Sequence, residues 1–125
     1  KENIIVKNSI EFNRWILVDK LQMEQVLINL LTNSIYALEE KPEKTIEISS
    51  EVKNNRTFIT ISDSGNGIDA EIEDKIFLPF FTTRKDGAGI GLTLSKNIIE
   101  AHGGYLNYAS DFGKTHFTIC LTESF

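Results

Sequence analysis

The chain is poor in the residues that staple or break structure: it has one cysteine and two prolines in 125 residues. A lone cysteine, Cys120, can close no internal disulfide and complete no cysteine-cluster metal site, and such usage fits a reducing compartment. Positive charge is also scarce. Thirteen Lys and Arg stand against eighteen Asp and Glu, giving a net charge of −5. That field repels phosphate backbones and anionic lipids, which argues against a nucleic-acid or membrane-surface partner. Any phosphate ligand must be held by local groups. No apolar run approaches the roughly 20 residues needed to cross a bilayer, and the opening KENIIVKNS lacks the apolar centre of a signal peptide. The expectation is a soluble, cytoplasmic segment, whether its parent is free or membrane-anchored. The first residue is Lys and strand-like sequence follows at once, so the chain reads as a piece of a longer protein. It contains no internal repeat, linker or low-complexity tract.

What is present suffices for one core. Hydrophobic residues make up 41% of a chain of single-domain length, and eight are phenylalanines. NIIVKN and RWILVD are short strand candidates, and Asp19 is placed to cap the helix after them. That helix runs for about 20 residues and stops near EEKPEK, where Pro42 forbids continuation. TIEISSEV and RTFITISD alternate apolar and polar around Asn54-Asn55, which predicts a hairpin. From Gly65 to about Gly91 periodicity is weak, as in a lid or binding loop. LTLSKNIIEAH is helical, Gly103-Gly104 ends it, and YLNYAS and THFTICL close the chain as two strands around DFG. The class is α/β, with strands paired mainly as hairpins and helices on one face.

Three stretches carry candidate chemistry. In QVLINLLTNSIYAL, Asn29 and Asn33 lie four apart, so one amide recurs above the other. On a wheel of 100° per residue, Gln22, Gln25, Asn33 and Tyr36 gather within about 40° of Asn29, beside an apolar arc of Val26, Leu27, Leu30, Leu31, Ile35 and Leu38. The stripe carries no charge. It is either a solvated face or a row of amides turned toward a polar ligand or hydrated cation such as Mg²⁺, which takes few protein oxygens and keeps its waters. In ISDSGNGID a strand ends on Asp63 before Gly65 and Gly67, either as a plain turn or as a weak match to a dinucleotide fingerprint through Ala70. In RKDGAGIGL, Gly87, Gly89 and Gly91 precede a helix and suit a phosphate cradle, with Arg84 and Lys85 as local cations or as a solvated basic pair.

The order of these stretches resembles the ATP-binding catalytic domain of two-component sensor histidine kinases, in the gyrase, chaperone, histidine-kinase and mismatch-repair ATPase superfamily. LQMEQVLINLLTNSIYAL is similar to the family's N box and DSGNGI to its G1 box. IFLPFFTT is similar to the F box, GAGIGLTLSKNIIEAHGG to the G2 box and its helix, and FGKTHFTICL to the terminal pattern. The match spans essentially residues 1–125. It implies a two-layer α/β sandwich, the Bergerat fold, with about five mostly antiparallel strands covered on one face by about three helices and an ATP lid. The NSIYAL and PFFTTRKDGAGIGL segments most resemble the subgroup of nitrogen-regulation kinases.

The resemblance also assigns roles. Asn33 would coordinate the Mg²⁺ that bridges the ATP phosphates, with Asn29 in support, and Tyr36 and Ala37 would face the nucleotide. Asp63 would accept the adenine amino hydrogen, Gly65, Gly67 and Ile68 would pass close to the purine, and Thr115 would help fix Asp63. Phe80 and Phe81 would anchor the lid, which Gly87, Gly89 and Gly91 would shape over the phosphates, with Thr82, Thr83, Ala88, Ile90 and Leu92 also facing the nucleotide. Where many kinases carry a basic residue, this chain has Tyr36, so γ-phosphate contact passes to Arg84 or Lys85. The terminal FGKTHF is one residue shorter than the usual version.

Hydrolysing members of the superfamily place a glutamate, as general base for water, where this chain has Asn29. The chemistry implied is transfer of the γ-phosphoryl group to a histidine in a separate dimerisation domain of the same kinase, then to a response regulator receiver domain, in a homodimeric parent. Neither His102 nor His116 is followed by an acid as that phosphoacceptor would be, so both are read as structural. The competing readings are a silent nucleotide-binding interaction module and another ATPase or kinase of the superfamily.

Overall fold

The computed structural model describes residues 5–9, 18–39, 42, 44–65, 71, 74–78, 91–111 and 114–122, with the backbone alone at 5–9 and 111. In chain order its elements are β1 (Ile5–Ser9), α1 (Lys20–Ala37), β2 (Thr45–Lys53), β3 (Arg56–Asp63), α2 (Gly91–Ala101), β4 (Tyr105–Asp111) and β5 (Lys114–Thr122). The strands form one mixed sheet in the order β1-β2-β3-β5-β4. Only β1 with β2 is parallel; the other neighbours are antiparallel. Two helices lie among the described residues, against an expectation of about three. Val18 and Asp19 lie outside any strand, and the rest of the RWILVD strand candidate lies outside the described residues.

The hairpins follow from local chemistry. Asn54 and Asn55 both take positive φ, 55° and 64°, the conformation a two-residue turn requires if it is to match strand twist. The turn sets Lys53 opposite Arg56, and the period of two then puts Ile48 opposite Ile61. Across the next pairing, Ile61 faces Phe117 and Ile59 faces Ile119. These residues share one side of the sheet, where α1 adds Val26, Leu30 and Leu38, and α2 adds Ile98 and Ile99, to one buried cluster. Each fully buried side chain of this size contributes roughly 2 kcal/mol. Phe117 lies at its centre, edge-on to Phe77 at 6.5 Å and tilted against Tyr108 at 5.6 Å. The other side of β3 and β5 is polar: the Thr60 and Thr118 hydroxyls pair at 3.1 Å, and Ser62 Oγ meets His116 Nδ1 at 2.6 Å.

Asp19 caps α1, its carboxylate accepting from Gln22 N at 2.9 Å. The helix ends at Ala37, with a turn at Leu38 and Glu39 before Pro42. The apolar arc expected on it is narrower than the wheel suggested. Val26, Leu30, Ser34 and Leu38 form the buried ridge, whereas Ile35 is 45% exposed, Ile28 58% and Leu21 75%. The sheet meets the helix along the i, i+4 row through Leu30, and Ile35 lies about 140° around the helix from it.

α2 stops where Gly103, at φ 83°, adopts the left-handed form and Gly104 N donates to Ile99 O at 3.0 Å. Gly104 is there for space. A Cβ on it would fall 2.0 Å from Cys120 O. His102, just before, joins the helices. Its Nε2 accepts from Asp19 N at 3.0 Å, so Nδ1 carries the hydrogen that Ile98 O accepts at 2.8 Å. The structural reading of His102 matches this geometry.

Gly104→Ala should lower urea-unfolding stability by about 3 kcal/mol, because backbone rather than a flexible side chain blocks the added methyl. Thr57 presents the opposite case, a buried hydroxyl without a partner among the described residues. Thr57→Val should raise stability by about 1 kcal/mol in the same assay.

Candidate functional site

β3 ends on Asp63, and the chain must leave the sheet there. The Asp63 carboxylate takes the N–H of Gly65 at 2.9 Å, turning the backbone two residues on. Ser64 secures the exit: its N–H donates to Thr45 O and its hydroxyl accepts from Thr45 N, both at 3.1 Å. Gly65 is then pressed against α1. An added Cβ would stand 2.8 Å from Asp63 Oδ1, 3.1 Å from Ala37 O and 3.2 Å from Ala37 Cβ. A methyl there would push the Asp63 carboxylate and the end of α1 aside, so glycine suits this close meeting of strand end, turn and helix.

Asp63 is buried, 4% exposed. Desolvation raises its pKa above the ordinary 3.8, and hydrogen bonds from Gly65 N–H and the Ser34 hydroxyl oppose that shift without cancelling it. Thr115, also buried, stands directly opposite Asp63 in the β3–β5 register. Asp63, Gly65, Thr115 and Ala37, four residues singled out in the sequence, therefore come together at one end of the sheet with Ser34. Ser34 was missed. A small hydroxyl spaced four residues from both Leu30 and Leu38 lies on the buried ridge of α1 and needs a partner, which is the signal that could have found it.

The asparagines divide. Asn29 is half-buried between the helices: its Nδ2 donates to Gly91 O and to Ser95 Oγ, each at 3.2 Å, while its Oδ1 accepts from Gln25 Nε2 at 2.9 Å. None of these bonds involves Asn33, half-buried one turn on. Tyr36 is more open, at 37% exposed, and Leu92 packs against the core cluster. Gly91 is the first described residue of α2, and among the described residues a methyl there would meet nothing closer than Asn29 Cγ at 3.8 Å, an ordinary contact. Two further residues escaped the sequence reading. Ser95 is fully buried, and Thr93 Oγ1 donates to Phe77 O at 2.7 Å, tying the first turn of α2 to the IFLPFF segment. Gly67, Ile68, Phe80, Phe81, Thr82, Thr83, Arg84, Lys85, Gly87, Ala88, Gly89 and Ile90, and with them the lid, lie outside the described residues. Among the described residues no cluster of His, Cys, Asp and Glu could hold a metal, and no helix is long and apolar enough to cross a membrane.

A carboxylate buried at a strand end, a glycine packed against the end of α1 and half-buried amides along that helix make up the candidate site. Residues 18–124 match the model of the family described as histidine kinase-, DNA gyrase B- and HSP90-like ATPases. The sensor histidine kinase ZraS of Salmonella typhi is 43% identical over 104 residues, covering 82% of this chain and 22% of the relative. The signal transduction histidine-protein kinase AtoS of Escherichia coli K12 is 40% identical over 105 residues, covering 82% of this chain and 17% of the relative. The chain thus spans about a fifth of the length of these relatives. Among solved structures, the nucleotide-free catalytic domain of histidine kinase ThkA superposes with a TM-score of 0.79 at 30% identity, over 96% of this chain and 78% of that one. The chain belongs to the histidine kinase-, gyrase B- and HSP90-like ATPase family, has bacterial sensor histidine kinases as relatives, and folds like a histidine kinase catalytic domain.

Proposed function

We propose that this chain is the domain of a sensor kinase that binds Mg-ATP and presents the γ-phosphoryl group to a histidine on a separate dimerisation domain, for relay to a response regulator. The observation that carries the reading is the buried Asp63 carboxylate, which accepts from the N–H of Gly65, a glycine packed closely against Asp63 and Ala37. A buried carboxylate at a strand end suits a ligand with a hydrogen-bond donor on a flat aromatic ring, and the adenine amino group is such a donor. The residues around it fit that ligand: Thr115 stands across from Asp63, and Gly65 keeps the ring's approach free of a side chain.

Asn33 is the residue assigned to Mg²⁺, because its amide lies one turn beyond Asn29 and apart from the bonds that hold Asn29. When bound, the ion would neutralise charge on the phosphates. Lid residues Phe80, Phe81, Thr82, Thr83, Gly87, Ala88, Gly89 and Ile90, with Arg84 or Lys85 on the γ-phosphate, complete the assignment from the family resemblance, as do Gly67 and Ile68 beside the purine. Asn29 stands where a hydrolysing enzyme would need a base, and an amide accepts no proton. Phosphoryl transfer rather than hydrolysis follows. The parent is proposed to be a homodimer whose catalytic domain works in the cytoplasm, and residues 1–125 form that one domain.

Asp63→Asn tests the pocket with two readouts. Calorimetric titration with a non-hydrolysable ATP analogue and Mg²⁺ should find one site in the parent chain and none in the variant. The fold should survive the change, because an amide still accepts from Gly65. A raised carboxyl pKa contributes stability that is fully present below pH 3.8 and is lost as pH rises through the folded-state value. The variant lacks that loss, so its stability relative to the parent should grow from acid toward neutral pH in urea-unfolding series. Undiminished analogue binding by Asp63→Asn would sink the assignment. Incubation of the domain alone with ATP should release no phosphate above the rate of ATP in buffer, and measurable turnover would instead favour an ATPase.

A further inference from the structure

The most connected polar cluster away from Asp63 is the set of bonds around Asn29, and its chemistry is one-directional. Gly91 O can only accept, so the Asn29 amide must present its nitrogen there, and the choice between the two amide orientations is closed. With Nδ2 bridging Gly91 O and Ser95 Oγ, Oδ1 faces Gln25, which must offer its own Nε2. Ser95 is fully buried and Gln25 exposed, so the bonds run from the surface of α1 to the interior face of α2. Both Asn29 hydrogens are engaged and its oxygen already has a donor. Binding a cation through that oxygen would require Gln25 to let go. A carboxylate at this position would set negative charge against the Gly91 carbonyl, so α2 itself demands a donor here.

We infer that Gln25, Asn29 and Ser95 are positioning residues, which fix the first turn of α2 for the phosphate end of the nucleotide, and that Asn29 is not a metal ligand. The inference rests on the nucleotide reading above and adds to it. Gly91 is the first described residue of α2, and the backbone N–H groups at the start of a helix carry partial positive charge that suits an anion. The direction of those groups depends on how the turn is seated. On one side Asn29 holds Gly91 O; on the other Thr93 Oγ1 holds Phe77 O at 2.7 Å. Asp63 and Gly65 take no part in either bond. Loosening the turn should therefore weaken phosphate contacts and leave adenine contacts intact.

The test compares adenosine with Mg-ATP on the parent chain, on Gln25→Ala and on Ser95→Ala, by titration followed in protein NMR spectra. Gln25 is exposed, so its variant keeps the fold even if Ser95→Ala does not. Each variant should bind Mg-ATP about tenfold more weakly, the scale of one lost hydrogen bond, with adenosine affinity within about twofold of the parent. The double variant should lose little more than either single one, because both act through Asn29. Equal losses for adenosine and Mg-ATP would reveal a general packing role and overturn the inference, as would no loss for either ligand. Failure of the parent chain to bind either ligand would instead overturn the nucleotide reading itself.

Discussion

The pairing of β3 with β5 is the constraint from which the remaining geometry follows. It places Ile59 against Ile119 and Ile61 against Phe117, so one side of the sheet becomes the surface on which both helices pack. The same register carries on to Asp63 and Thr115. Core and candidate site are therefore a single alternation read to its end: the last inward position of β3 is occupied by a carboxylate instead of an isoleucine. A slip of one residue would turn Asp63 outward along with every core side chain. Burial then makes the carboxylate costly to ionise, and Gly65 and Ser34 compensate only in part.

Much of this architecture can be read from the sequence because its signals are local. Alternation brackets the Asn54-Asn55 turn, Asp19 stands at a helix start, and Gly103-Gly104 stands at a helix end. Each depends on neighbours within a few positions. The exposure of Ile35 was not legible, since a wheel reports which residues share a side of a helix but not how much of that side the sheet covers. The role of Gly104 was visible only as a helix stop, and its close approach to Cys120 O depends on a strand that follows much later in the chain.

The candidate site shows the same division. Asp63 and Gly65 are neighbours in sequence, and their pattern after a strand is recognisable. Asn29 was legible as an amide in a polar stripe, but its partners Gly91 and Ser95 lie 62 and 66 residues away. No periodicity carries that information. Ser34 and Ser95 were overlooked for a related reason: a serine among leucines looks like a concession to solubility until burial shows that its hydroxyl must be satisfied inside.

His102 and Asn29 together have a mechanical consequence. His102 fastens the end of α2 to the start of α1, and Asn29 fastens the start of α2 to the middle of α1. The helices run in opposite directions as two rails joined by two rungs. One rung cannot yield to sliding without straining the other, so shear between the rails is resisted along their shared length.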